Sequence, residues 1–296
     1  MMLMSLNVSE IMSEEYGHCA RLENGKTEML VTLDYGPRIV SVSKNGSPNL
    51  IYNTVDPEIH RNHGHKMRIA LEKSTNAVYC DDTPVRYSLM EDGVSFVQTL
   101  TQPAQLELSM DIVFSSEIGS FMVVHSVLNR SLEDIRLSIY TETPFQDDGF
   151  VFIPQSNIRE TDRPSRILTL WENCSWRDSR LFVGDQYVTV HDTDVPDLPR
   201  LKLGVNNTAG FCGFVQEKYG LIKRYVHNRT ALYPFQSCSA FATANEKYIS
   251  LQTNSPFYII AEGEYARHIE SWIFTEFDGS LHPDNETELD DYINSF

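Results

Sequence analysis

Cysteine is scarce, and none of it falls in a telling pattern. Cys19, Cys80, Cys174, Cys212 and Cys238 form an odd, widely scattered set without a CxxC spacing. That argues against a disulfide framework and reads as reduced thiols in a cytoplasmic protein. Basic residues are also few: 24 Lys and Arg stand against 41 Asp and Glu, a formal net charge of −17. An acidic surface cannot neutralise phosphates and release their counterions, so nucleic acid is excluded as a partner and anionic lipid is disfavoured. The opening residues, Met1 to Leu6, are apolar. They lack a positive flank and a long apolar segment, and acids follow at Glu10, Glu14 and Glu15. Neither a signal peptide nor a membrane span is expected. What remains is a chain suited to a compact neutral or polar ligand.

A persistent helical period is missing as well. Met29, Val31 and Leu33 alternate with Leu30, Thr32 and Asp34, Tyr35-Gly36-Pro37 breaks the run, and Ile39 to Ser43 resumes it. Asn45-Gly46 is a strong hairpin signal. Further short alternating runs follow at Val85–Tyr87, Val94–Leu100, Leu106–Phe114, Phe121–Leu128 and Ile135–Tyr140, and the second half repeats the habit up to His268–Phe274. Short strands with turns between them predict an all-β sandwich or barrel. Two segments differ. Residues 1–20 read as a polar lead-in with a short helix near Ser9–Glu15, and residues 281–296 as an acidic C-terminal helix with Leu289, Tyr292, Ile293 and Phe296 on one face. No linker composition divides residues 21–280, which are expected to form a single β domain.

One stretch runs against the charge of the rest. In His60-Arg61-Asn62-His63-Gly64-His65-Lys66-Met67-Arg68, six of nine residues can carry positive charge, and no acid appears until Glu72. The bland reading is a solvated loop. A first chemical reading is a metal: His63-x-His65 with Glu72 offers ligands of the kind that cupins present on a β-barrel, but the glutamate is too far along and no later histidine segment completes the set. A second is sugar chemistry. Epimerising an aldose at its anomeric carbon needs an acid at the ring oxygen, a base at the anomeric hydroxyl and an orienting cation, and no cofactor.

The second reading gains from a resemblance. Gly36-Pro37-Arg38-Ile39-Val40, Gly64-His65-Lys66-Met67-Arg68 with Glu72, Tyr79 to Val85, Val124-His125-Ser126-Val127-Leu128-Asn129, Lys202-Leu203-Gly204, Lys223, Tyr233-Pro234 and His268-Ile269-Glu270-Ser271-Trp272 stand in an order that resembles the galactose mutarotase-like (aldose 1-epimerase) superfamily, in particular an uncharacterised bacterial branch. The resemblance runs from about Gly36 to Phe274. It implies a β-supersandwich of large antiparallel sheets with a concave face that takes a small-molecule carbohydrate, and no cofactor or metal. The orienting cations of the family fall on Lys66 and Arg68. The histidine acid falls near Tyr140–Thr143, where this chain carries Tyr140 and Glu142, and the glutamate base falls on Gln252, which cannot take a proton.

The expected catalytic residues are therefore His65, Glu72 and Glu142. The expected carbohydrate contacts are Lys66, Arg68, Asp81, Tyr140, Lys223, Tyr233 and Gln252. Each has a plainer alternative. His65 suits a satisfied loop histidine, Glu72 a partner of Arg68, and Glu142 a solvated strand end. Alternation places Lys223 on a face with Leu221 and Tyr225, either at a rim or toward a ligand. Tyr233 and Trp171 suit a core, and His125, His268 and Glu270 read as structural cross-strand partners. With the acid-base pair altered, a non-catalytic sugar-binding or sensing protein on the same fold stands beside the epimerase reading, and a cupin-like metal enzyme is the third.

Overall fold

The computed structural model describes residues 6–44, 46–53, 63–72, 83–98, 105–114, 120–146, 148–156, 166–191 and 197–296. Every ladder among them is antiparallel. The chain opens with a four-stranded sheet of β1 (Asn7–Ser13), β2 (Gly17–Glu23), β3 (Thr27–Thr32) and β4 (Ile39–Lys44), in that order. The helix expected near Ser9–Glu15 is replaced by β1, which pairs with β2 from Asn7↔Glu23 to Ser13↔Gly17. The turn between them is closed by Ser13 Oγ, which accepts from the Glu15 and Tyr16 N–H groups at 3.2 Å. A ladder along the whole segment outweighs a weak local helix preference.

The hairpin of β3 and β4 is joined through a cis Gly36–Pro37 bond. Asn45 of the expected Asn45-Gly46 turn lies outside the described residues. Ser47 N–H donates to Lys44 O at 2.9 Å, and the chain then leaves the sheet, with Ile51 bridging Phe145.

A seven-stranded sheet follows the path β12 (Leu168–Leu170), β15 (Leu201–Val205), β18 (Ala240–Ala244), β19 (Ile249–Asn254), β10 (Ile135–Phe145), β20 (Tyr258–Ile260), with β5 (Lys66–Leu71) on the other edge of β10. A ten-stranded sheet runs β13 (Leu181–Val183), β14 (Tyr187–His191), β11 (Phe150–Pro154), β16 (Phe211–Gln216), β17 (Tyr219–Tyr225), β21 (Tyr265–Glu276), β9 (Ser120–Asn129), β8 (Leu106–Phe114), β7 (Gly93–Gln98), β6 (Val85–Leu89). One hydrophobic cluster joins all three sheets. It holds Met29 and Val31 of the first, Leu203, Ala242 and Leu251 of the second, and Val151, Phe214 and Trp272 of the third. Alternate residues of the strands enter this core, which leaves the opposite face of the seven-stranded sheet to carry polar side chains.

The C-terminal helix, Glu286–Asn294, forms as expected. Asn285 caps it by accepting from Glu288 N–H, and Glu286 and Glu288 complement the dipole of its first turn. Leu289 and Tyr292 pack on Phe150, Phe152 and Ile222, while Phe296 remains 45% exposed. Glu286 also accepts from the N–H groups of Gln186 and Tyr187, at 2.7 and 2.8 Å, which ties the helix to the turn before β14. No helix of the described residues is long and apolar enough to cross a membrane.

Candidate functional site

Strand β10 has two chemically different faces. Tyr140 and Glu142 point away from the core, and Thr141, Thr143 and Phe145 point into it. Directly opposed residues of antiparallel strands share a face, so the registers lay out the outer face in rows. One row is Gly204, Phe241, Gln252, Glu142 and Lys66; the row beside it is Lys202, Thr243, Ser250 and Pro144; on the other side lie Asn254, Tyr140 and Arg68.

Glu142 is the centre of these rows. Its Oε2 forms an ion pair with Arg68 Nη2 at 2.6 Å and lies 3.9 Å from Lys66 Nζ, and its Oε1 accepts from Gln252 Nε2 at 3.1 Å. Burial alone would raise the pKa of this carboxyl. The charges of Arg68, Lys66 and Lys202 and the Gln252 hydrogen bond outweigh that and hold it below the ordinary range, so it is ionised. Arg68 also donates to Tyr140 Oη at 3.3 Å.

Next to this group Lys202 enters an aromatic enclosure. Its Nζ lies 4.7 Å from the ring centre of Trp171, 5.6 Å from Phe241 and 6.0 Å from Phe235. Burial, with Arg200 and Arg68 nearby, lowers its pKa to about 8 even though Glu142 opposes the shift. Phe235 is presented by an unusual turn. Phe235, Gln236 and Ser237 have φ of 53°, 63° and 64°, three successive non-glycine residues in the left-handed region.

The inner face of β10 meets a second polar group, sealed between the two large sheets. His65, His125, Lys223, Glu270 and Trp272 have no exposed surface. His65 is held there because its backbone bridges Ile39, with N–H to O distances of 2.8 and 3.1 Å. Gly64 makes this approach feasible: its φ is +72°, and a Cβ would come within 3.1 Å of Ile39 O and Val40 Cγ1.

The hydrogen bonds fix the tautomers. His125 Nδ1 donates to His268 O at 3.2 Å, so its Nε2 accepts from His65 Nε2 at 2.8 Å. His65 Nδ1 then accepts from Thr143 Oγ1 at 2.8 Å, and Thr143 accepts from Lys223 Nζ at 2.9 Å. Lys223 also pairs with Glu270 Oε1 at 2.8 Å. That oxygen accepts from Thr141 at 2.6 Å and from Thr253, and Glu270 Oε2 accepts from Trp272 Nε1 at 2.8 Å. Burial pushes the histidines down, His65 well below its ordinary value, His125 to about 4 and His268 to about 3. For Glu270 burial acts upward, but Lys223 and the histidines prevail and its pKa lies well below the ordinary carboxylate range.

These placements redistribute the residues expected from sequence. Glu142, Gln252, Lys66, Arg68 and Tyr140 come together on the outer face. His65 and Lys223 do not join them. Alternation does put Lys223 on one face with Leu221 and Tyr225, but that face is the core and offers no rim. Glu72 pairs with Arg136 at 2.7 Å rather than with Arg68, at a part-exposed edge. Tyr233 stacks on His227 with ring centres 4.8 Å apart, and its hydroxyl accepts from Asn228 N–H. Asp81 lies outside the described residues.

The metal set His63, His65 and Glu72 does not converge, since His63 Nε2 meets Tyr35 Oη at 2.8 Å while Glu72 is engaged by Arg136. Among the described residues, His65, His125 and Glu270 do converge, with ligand atoms within 4.8 Å of one another. The Lys223 ammonium already neutralises that carboxylate, and a divalent ion there would sit against it. Trp171, expected in the core, and Lys202, Thr243, Ser250, Asn254 and Phe235, none of them expected at the site, belong to the outer face. The available signal was the alternation of Phe241 and Thr243 with Ala240, Ala242 and Ala244.

No protein-family model matches the chain, and no curated protein matches it in sequence. Its fold has solved counterparts. A candidate aldose 1-epimerase from Klebsiella pneumoniae is similar over 94% of this chain and 83% of its own, with a TM-score of 0.62 at 9% identity. A galactose mutarotase related enzyme from Lactobacillus acidophilus is similar over 89% of this chain and all of its own, with a TM-score of 0.55 at 10% identity. A TPR-domain containing protein from Parabacteroides distasonis matches 90% of this chain with 48% of its own, at a TM-score of 0.60 and 13% identity. The chain thus has the all-β, galactose mutarotase-like β-supersandwich fold, with large antiparallel sheets and a short C-terminal helix. At these identities the likeness is one of fold.

Proposed function

We propose that the protein binds a carbohydrate on the outer face of the seven-stranded sheet, over Glu142, Arg68, Tyr140, Gln252 and Asn254. The observation that carries this reading is a set of buried oxygens without partners. Thr243 Oγ1, Ser250 Oγ and Asn254 Oδ1 all belong to β18 and β19, all face outward with Gln252, and none has a hydrogen bond among the described residues. Buried polar atoms are nearly always satisfied, so three on one face call for a partner from outside. A polyhydroxylated ligand supplies donors and acceptors in that number. The names of proteins that share the fold, a galactose mutarotase related enzyme and an aldose 1-epimerase, support the same ligand class.

The same groups argue for binding rather than for proton transfer at an anomeric carbon. Glu142 is a weak base while Arg68 and Lys66 hold it ionised, and Gln252 cannot accept a proton. The test is a thermal-shift screen of the full chain against aldoses, sugar acids and sugar phosphates, followed by NMR of anomer exchange. A selective shift without accelerated exchange is the expected result. No shift with any carbohydrate would overturn the proposal, and acceleration that disappears in Glu142→Gln would return this carboxylate to catalysis.

A further inference from the structure

The row Lys202, Thr243, Ser250 crosses three adjacent strands, by the pairings Lys202↔Thr243 and Thr243↔Ser250. All three side chains therefore project from the same side of the sheet. Thr243 is 1% exposed and Ser250 0%, and each hydroxyl lacks a partner among the described residues. Lys202 is the cation of the row. Among the described residues its ammonium meets three ring faces, and no hydrogen bond or ion pair reaches it. An ammonium taken partly out of water without an acceptor is costly, and the lowered pKa of Lys202 reflects that cost. Glu142 belongs to the neighbouring row and is spent on Arg68, Lys66 and Gln252. The row thus offers one positive charge and two hydroxyl donors, and no negative charge of its own. That donor set matches an oxyanion.

We infer that Lys202, Thr243 and Ser250 form a subsite for an anionic group, a carboxylate, sulfate or phosphate carried by the carbohydrate, so that the ligand is an acidic sugar derivative rather than a neutral one. The inference deepens the carbohydrate reading and rests on it. Trp171 and Phe235 wall the subsite, and the left-handed turn at Phe235–Ser237 holds the second of these rings in place. Backbone held in that region persists where the surroundings over-determine it, commonly beside a ligand. The net charge of −17 makes the background repulsive to anions, so an anion that binds this protein must find a local site, and because sulfate also stabilises folded proteins by exclusion from their surface, only the part of its effect that depends on Lys202 reports that site.

The test measures affinities of the full chain for glucose, glucuronate and glucose 6-phosphate, and thermal shifts with sodium sulfate against sodium chloride at matched ionic strength. At least one charged sugar is expected to bind tenfold or more tightly than glucose, and Lys202→Met to bring that ratio close to one. Thr243→Val and Ser250→Ala separate binding from folding. Each removes an unsatisfied buried hydroxyl, so melting temperature is expected to hold or rise while the preference for the charged sugar falls severalfold. Equal affinity for charged and neutral sugars would overturn the subsite and leave the carbohydrate reading standing. Stabilisation by sulfate that is lost in Lys202→Met, with no binding of any sugar, would uphold the anion site and overturn the carbohydrate. A sulfate shift equal in the wild type and Lys202→Met, with no binding of any sugar, would overturn both.

Discussion

Lys223 Nζ lies 2.8 Å from Glu270 Oε1, and neither side chain has any exposed surface. The pair sits between two β-sheets in a buried polar group with His65, His125 and His268, and it is sustained by Thr141, Thr143, Thr253 and Trp272. A buried ion pair of this kind is close to neutral as a whole against an apolar replacement, but each half depends on the other.

Removing one partner should therefore cost far more than removing both. Lys223→Met or Glu270→Leu alone is expected to destabilise by about 3–5 kcal/mol, since each leaves a buried charge uncompensated, and the double variant should recover much of that loss. Urea denaturation of the three variants measures it. Single variants within about 1 kcal/mol of the wild type would mean that water reaches the pair.

Acid should unfold this protein from a higher pH than is usual. His65, His125 and His268 have folded pKa values below the ordinary 6.5, with His125 near 4 and His268 near 3. Below 6.5 the unfolded chain takes up protons that the folded one refuses, so stability falls as pH drops from about 6.5 toward 4. With three such groups the slope approaches ~4 kcal/mol per pH unit at its steepest. The depressed pKa of Glu270 acts in the same direction below its ordinary 4.5, because its stabilisation is lost as the carboxylate protonates. Urea midpoints between pH 8 and 5 should show this decline, and a flat profile would contradict the neutral state of the three imidazoles.

Gln252→Glu would set a second carboxyl against Glu142, whose Oε1 is 3.1 Å from the Gln252 amide nitrogen. Two carboxylates at that range cannot both ionise freely, so one pKa is driven up. A carboxyl with a raised folded pKa stabilises as pH falls. The deficit of the variant against the wild type should therefore be largest near pH 8 and shrink toward pH 5. Melting temperatures across that range decide it, and a deficit independent of pH would show that Arg68 and Lys66 accommodate both charges.

The left-handed turn makes a separate prediction. Gln236 has φ 63° and ψ 37° and an exposed side chain, and glycine adopts that conformation without the Cβ penalty. Gln236→Gly is expected to stabilise by about 0.5–1 kcal/mol, the relief of strain being partly offset by the greater freedom of glycine in the unfolded chain. A destabilised variant would show that the side chain itself holds the turn.

Much of this was written locally. Alternation alone puts Tyr140 and Glu142 on one face of β10 and Lys223 beside Leu221 and Tyr225, and the C-terminal helix is announced by its apolar stripe. These are properties of neighbours in the chain, set by a backbone period of two in strands and 3.6 in helices. Which face is covered is not such a property. Lys223 and His65 became interior residues because the second sheet closes over them, and Ser9–Ser13 became part of an edge strand because β2 lies alongside. The row of Lys202, Thr243 and Ser250 exists only through the registers of three strands drawn from separate parts of the chain. Register and sheet stacking are settled by the burial of the whole core, a long-range sum that no short stretch of residues contains.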